Sequence, residues 1–300
     1  MRSERRGLLN TRFSLTLLGT LVVAGVSPVQ AQTTLLPRPA HVVIIIEENH
    51  EASQIIGNQA APYINSLANQ GALFTQSFAV SHPSQPNYLQ IFSGADQGCT
   101  SDSAPPSGAP FVTANLGAEL LAKGLTFGGY SLTQPGVGFL GDSSGNYVRK
   151  HNPWCDWQGA GPNQLPPAVN MPFTSFPTDY SALPTISFVI PDQRVDMHSG
   201  SIASGDAWLK NNLDAYIQWA KTHNSLFILT FDEDDFTDVN LITTLFVGPM
   251  VKQGRYSERI THHTVLRTLE DMYGLGHAGA AATAAPILDV WTGPPGPGPR

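Results

Sequence analysis

The chain has 300 residues, 41% hydrophobic and 13% charged, with a formal net charge of −7. That length can bury one large core, and the acidic balance argues against nucleic-acid binding and against electrostatic docking on anionic membrane. Without residues 1–31, which carry four arginines and one glutamate, the charge falls to −10.

The N-terminus reads as a processing signal. Arg2, Arg5, Arg6 and Arg12 form a basic start, Phe13 to Val26 is mostly apolar, and Val29-Gln30-Ala31 suits signal peptidase. The apolar run falls short of the roughly 20 residues that span a bilayer. The expectation is a secreted or periplasmic protein without stable membrane insertion and with no protein partner. Its domain occupies residues 32–290, and a Gly/Pro tail over 291–300 is expected to be disordered.

Short runs rich in Val, Ile and Phe alternate with helix-like stretches, the pattern of an α/β fold. The expected architecture is a three-layer α/β/α sandwich around a mostly parallel sheet. The first strand is His41–Ile46. A helix opens near Ser84, with Pro86 in its first turn and Tyr88, Leu89 and Ile91 following. Residues 99–184 are rich in Gly, Pro, Ser and Asn and read as a loop-rich insertion. Cys99 and Cys155 fall within it, and export suggests that they form one disulfide. Thr185–Ile190 is the next strand, and a helix follows in which Leu209, Leu213, Ile217 and Ala220 recur behind Ser204 as its cap. Ser225–Phe231 and Thr244–Gly248 are further strands. The last helix spans about Thr261–Tyr273 and stops at Gly274.

Polar residues cluster where three of these strands end. The first runs into Glu47, Glu48, Asn49 and His50, the second into Asp192, Asp196 and His198, and the third into Asp232, Glu233, Asp234 and Asp235. If the strands are parallel, all three clusters emerge at one carboxyl edge, where open α/β sheets place ligands. So many carboxylates together resist ionisation unless a cation neutralises them. Oxygen-rich ligation suits a divalent ion, with Zn, Mn, Mg and Ca all open. The run Asp232 to Thr243 fails as an EF-hand, because Thr237 and Thr243 replace its central glycine and final glutamate.

Ser84 stands between Pro83 and Pro86 at the helix start. It is either a helix cap or a nucleophile whose hydroxyl a metal activates, beside backbone N–H groups that favour phosphate. Asn87, one turn on, is placed to donate to a phosphoryl oxygen.

These residues resemble the secreted acid phosphatase and phospholipase C type phosphoesterases of the alkaline phosphatase superfamily. Three motifs carry the likeness: Glu48-Asn49 after the first strand, Ser84-x-Pro86-Asn87, and Asp232-Glu233 after a later strand. The resemblance implies Glu48, Asn49, Asp232 and Glu233 as metal ligands and Ser84 as the phosphorylated nucleophile. It brings in Lys150 and His151 from YVRKHNPW, and Asp196 and His198 from DMHSG. His198 and His151 rank first as catalytic histidines, His82 joins Asn87 and Lys150 as substrate-binding, and Asp196 and His263 complete the metal set. The chain departs from the phospholipase branch after Asn49 and after Glu233, which points to small soluble phosphate monoesters as substrates. A phospholipase C or phosphodiesterase using the same site is the alternative. A non-catalytic calcium-binding module is the alternative of another class.

Overall fold

The computed structural model describes Met1 and residues 36–293. The expected signal at 1–31 lies outside the described residues, as does the end of the tail at 294–300.

Eight strands form one mixed sheet: β1 (His41–Glu47), β2 (Ala72–Phe74), β3 (Phe127–Ser131), β4 (Asn170–Pro172), β5 (Ile186–Ile190), β6 (Ser225–Phe231), β7 (Thr244–Val247) and β8 (Gly254–Tyr256). Their spatial order is β8-β2-β7-β6-β1-β5-β3-β4. From β6 through β4 all pairings are parallel, whereas β7 runs antiparallel to both β6 and β2. The expected fold class holds.

The central strands are buried on both faces, so they read as near-continuous apolar runs rather than alternating ones. Val42, Ile44 and Ile46 of β1 face one core and Val43 and Ile45 the other. Among the described residues the α-helices are α1 (Ala52–Ile55), α2 (Pro62–Ala68), α3 (Ser84–Ser93), α4 (Leu116–Ala122), α5 (Ile202–Ala220) and α6 (His262–Tyr273). Helices α3, α4 and α6 cover the first face; α2 and α5 cover the second.

Helix α5 buries Leu209, Leu213, Ile217 and Ala220 as the spacing predicts. Its cap is Ser201 rather than Ser204: the Ser201 side chain accepts the Ser204 backbone N–H, so the helix opens one turn earlier. Helix α6 ends at Gly274, whose φ of 62° is left-handed and closes the helix without a Cβ penalty.

Three expectations need correction. Residues 99–184 are rich in loops but supply α4, β3 and β4, so they extend the central sheet. Trp291 is not part of a free tail; it is buried and stacks 5.9 Å from Phe246. Cys99 and Cys155 are both buried free thiols. Cys99 donates to the Ser101 carbonyl at 3.1 Å, while Cys155 lies 3.9 Å from the Tyr147 hydroxyl.

Candidate active site

The parallel register of β1 and β6 pairs Glu47 with Phe231, so the next residues, Glu48 and Asp232, leave the sheet side by side. The ladder continues there: Asp232 donates its N–H to the Glu47 carbonyl at 3.0 Å, and Asn49 donates its N–H to Asp232 Oδ1 at 3.2 Å. Beyond β5, the Asp196 carbonyl accepts from the Glu48 N–H at 2.8 Å. All three acidic clusters thus reach the end of β1, through Glu48, Asp232 and Asp196, whereas Asp192, two residues past β5, pairs with Arg194 at 2.8 Å.

Helix α3 carries Ser84 into this edge. The Ser84 hydroxyl lies 3.0 Å from Glu233 Oε1, 3.2 Å from Glu48 Oε2 and 3.4 Å from Asn49 Oδ1. Its one proton can satisfy only one of these acceptors. Ser84, Glu48, Asp232 and Glu233 are all buried, and Asp232 Oδ2 has no partner among the described residues.

The charges are held at a cost. Burial pushes the Glu48 carboxyl well up, and Asp232 beside it pushes further, against the pull of Tyr88 and Lys150. Burial and then Glu233 do the same to Asp232. Burial also raises Glu233, opposed by His82, whose Nδ1 is 2.5 Å from Glu233 Oε2. Removing one charge's partner in such a site is expensive, so the cluster calls for a cation. The donor set of carboxylates, an amide oxygen and a hydroxyl fits a hard divalent ion.

The remaining candidates separate by position. His151 is fully buried, with Nε2 3.1 Å from Glu48 Oε1 and Nδ1 3.6 Å from Asp196 Oδ2; burial, then Lys150, holds its pKa well below the usual value. His198 is exposed, 6.1 Å from the His151 ring, and its backbone N–H donates to Asp196 Oδ1 at 2.8 Å. Lys150 pairs with Asp102 at 2.6 Å. His263 has a buried Nε2 without a partner among the described residues, and its neighbour His262 meets the Asp232 carbonyl at 2.7 Å.

Asn87 differs from the expected phosphate donor. Its Oδ1 accepts from the N–H groups of Val80 and Ser81, and its Nδ2 donates to the carbonyls of Ser81 and Pro83. The amide is spent bracing the loop that precedes Ser84.

Two further residues reach the site from outside the expected set, Tyr88 and Asp102. Tyr88 donates its hydroxyl to Glu48 Oε1 and stacks on His151 at 5.0 Å; it stands four residues after Ser84, so it shares that helix face. Asp102 sits in an irregular loop and carries no pattern that could have found it.

The Phosphoesterase family model matches residues 58–276. The chain belongs to the phosphoesterase family. It is 48% identical over 271 residues to the phosphatidylinositol-3-phosphatase of Mycobacterium tuberculosis, covering 90% of this chain and 88% of that protein. It is 31% identical over 240 residues to an acid phosphatase of Aspergillus fumigatus, covering 75% of this chain but only 53% of the longer fungal one. Among solved structures, an alkaline phosphatase superfamily protein from Vibrio parahaemolyticus aligns with a TM-score of 0.58 at 13% identity, covering 83% and 71% of the two chains. That likeness shows the fold alone. Family membership makes this phosphoesterase a hydrolase of phosphate esters, and the non-catalytic calcium module falls away.

Proposed function

We propose that the protein hydrolyses phosphate monoesters through a phosphoserine formed at Ser84, with a divalent cation in the cluster around it. One observation carries the reading: three acceptor oxygens from two strand ends converge on a hydroxyl that has one proton to give. Glu48, Asn49, Asp232 and Glu233 would hold the ion with the serine oxygen. Bound there, the ion supplies positive charge that lowers the serine hydroxyl pKa. Ser84 then attacks phosphorus in line, and Lys150 faces the charge on the phosphoryl oxygens. His198, exposed at the mouth, protonates the leaving alkoxide, while buried His151 faces Glu48 and Asp196. Water cleaves the phosphoserine. Zn, Mn, Mg and Ca remain the candidate ions.

The relative named phosphatidylinositol-3-phosphatase bears on the substrate. A 3-phosphate on an inositol lipid is itself a monoester, so a lipid substrate and monoester chemistry are compatible. Val80, Phe236 and Val239 are exposed on the segments flanking His82, and Phe236 stacks on its ring at 4.8 Å, which favours a substrate with an apolar portion. Among the described residues no helix is long and apolar enough to cross a membrane. Export by the basic and apolar N-terminus completes the reading. The test compares kcat/KM for an aryl phosphate, a bis-aryl phosphate and micellar phosphatidylinositol 3-phosphate. Both monoesters should exceed the diester by at least about a hundredfold, some 2.7 kcal/mol of transition-state stabilisation. A preference for the diester would move the protein to the phosphodiesterase reading.

A further inference from the structure

The backbone N–H of Gln85 follows Ser84 in the first turn of α3, and the Lys150 ammonium approaches the same turn. Both are donors that a phosphoryl group on Ser84 would need. A single side chain takes both. Asp102 accepts the Gln85 N–H through Oδ1 at 3.0 Å and the Lys150 ammonium through Oδ2 at 2.6 Å. Its charge also reaches Glu233 and His198, which places the carboxylate among the groups that line the mouth of the site. Asp102 belongs to the irregular stretch between α3 and α4, and its side chain is 35% exposed, so it can swing away without opening the core.

We propose that Asp102 is a built-in stand-in for the substrate's phosphoryl group, holding the anion seat beside Ser84 until a phosphate ester displaces it. This rests on the reading of Ser84 as the nucleophile. Displacement costs Asp102 two charge-assisted hydrogen bonds. A monoester near its second ionisation, with a charge of about −1.5 to −2 and three terminal oxygens, replaces both bonds. A diester brings one charge and two terminal oxygens and replaces them less well. Asp102 therefore sets specificity: it taxes diesters more than monoesters. The competing role, in which Asp102 only positions Lys150 for substrate, predicts the opposite sign.

The experiment uses the metal-loaded full chain and its Asp102→Asn and Asp102→Ala variants. It measures KM for an aryl phosphate, the inhibition constant of inorganic phosphate, and the kcat/KM ratio of aryl phosphate to bis-aryl phosphate. The proposal expects KM and the phosphate inhibition constant to fall by about tenfold and the ratio to narrow by a similar factor. A rise in either constant, or no change in all three, overturns it. Calorimetric binding of inorganic phosphate to Asp102→Ala and wild type judges Asp102 without any turnover. A failure of Ser84 as nucleophile, seen as full activity in Ser84→Ala, is thereby separate from a failure of Asp102.

Discussion

The hydroxyl of Tyr88 donates to Glu48 Oε1, while the other oxygen of that carboxylate lies 3.2 Å from Ser84 Oγ. Ser84 and Tyr88 are one turn apart on α3, so a single helix carries the hydroxyl proposed as nucleophile and the group that orients the carboxylate beside it. Removal of the hydroxyl in Tyr88→Phe leaves the ring stacked on His151 but frees Glu48 to turn. Metal affinity should fall by about 10- to 100-fold, and kcat should fall more than KM changes, with little change in melting temperature. Metal titration of the stripped variant against wild type checks this, and equal affinities would show that Glu48 needs no such hold.

Metal removal should abolish activity and lower the melting temperature, because an ion bound in the proposed site would stabilise the native state and neutralise buried carboxylates. Readdition of a divalent ion should restore both. Asp232→Asn should act as partial removal, weakening the ion without emptying the core. Full activity in exhaustively stripped protein, confirmed by elemental analysis, would refute the cation.

How much of this was legible beforehand follows from burial. Strands β1, β5 and β6 are covered on both faces, so their sequences are near-continuous apolar runs, and the polar residues at their ends mark the site. Strand β3 (Phe127–Ser131) hid because its pattern is broken by glycine. At Gly129 a Cβ would come within 2.2 Å of the Trp154 indole, so the position accepts no side chain and shows no strand signal. Strand β4 is three residues ending in proline. Within the site, Ser84, Glu48, Asn49 and Glu233 could be read from their place after strands or at a helix start. The brace made by Asn87 could not, because it depends on how the loop 80–83 folds back over α3. Asp102 reaches the site from a loop whose composition says only that it is irregular.

The cysteines offer a test of that loop-rich segment. Burial, then Asp156, pushes the Cys155 thiol up to about 12, and burial also raises Cys99. Alkylation of the unfolded chain without reductant should therefore add two groups, and in the native state Cys155 should react far more slowly than a free thiol. Intact-mass measurement checks both. An unmodified unfolded chain would establish a bridge instead.

Glu270 gives a pH prediction away from the site. It is fully buried on α6; Oε1 accepts the Ala278 N–H at 2.8 Å, and Oε2 has no partner among the described residues. Burial pushes its pKa up to about 8, with Glu119 and Asp271 adding to it against the Ala278 bond. The unfolded value is about 4.3. The folded state thus holds the proton more tightly, so this contribution is fully present below about pH 4 and is lost as pH rises through about 8. Glu270→Gln keeps the shape and removes the titration. Its melting temperature relative to wild type should climb between pH 5 and pH 8.5, by about 3 °C for each kcal/mol. Parallel melting curves across that range would contradict the assignment.

The central claim is that Ser84 carries the phosphoryl group during turnover, and acid quenching in the first turnovers tests it most directly. Metal-loaded protein is mixed with excess aryl phosphate, quenched, digested and mapped by mass spectrometry. The account predicts a phosphorylated peptide with the modification on Ser84, absent from Ser84→Ala, whose turnover should be lower by about a thousandfold or more. Phosphate found on a histidine such as His82 or His198, or a Ser84→Ala variant with wild-type turnover, would contradict it.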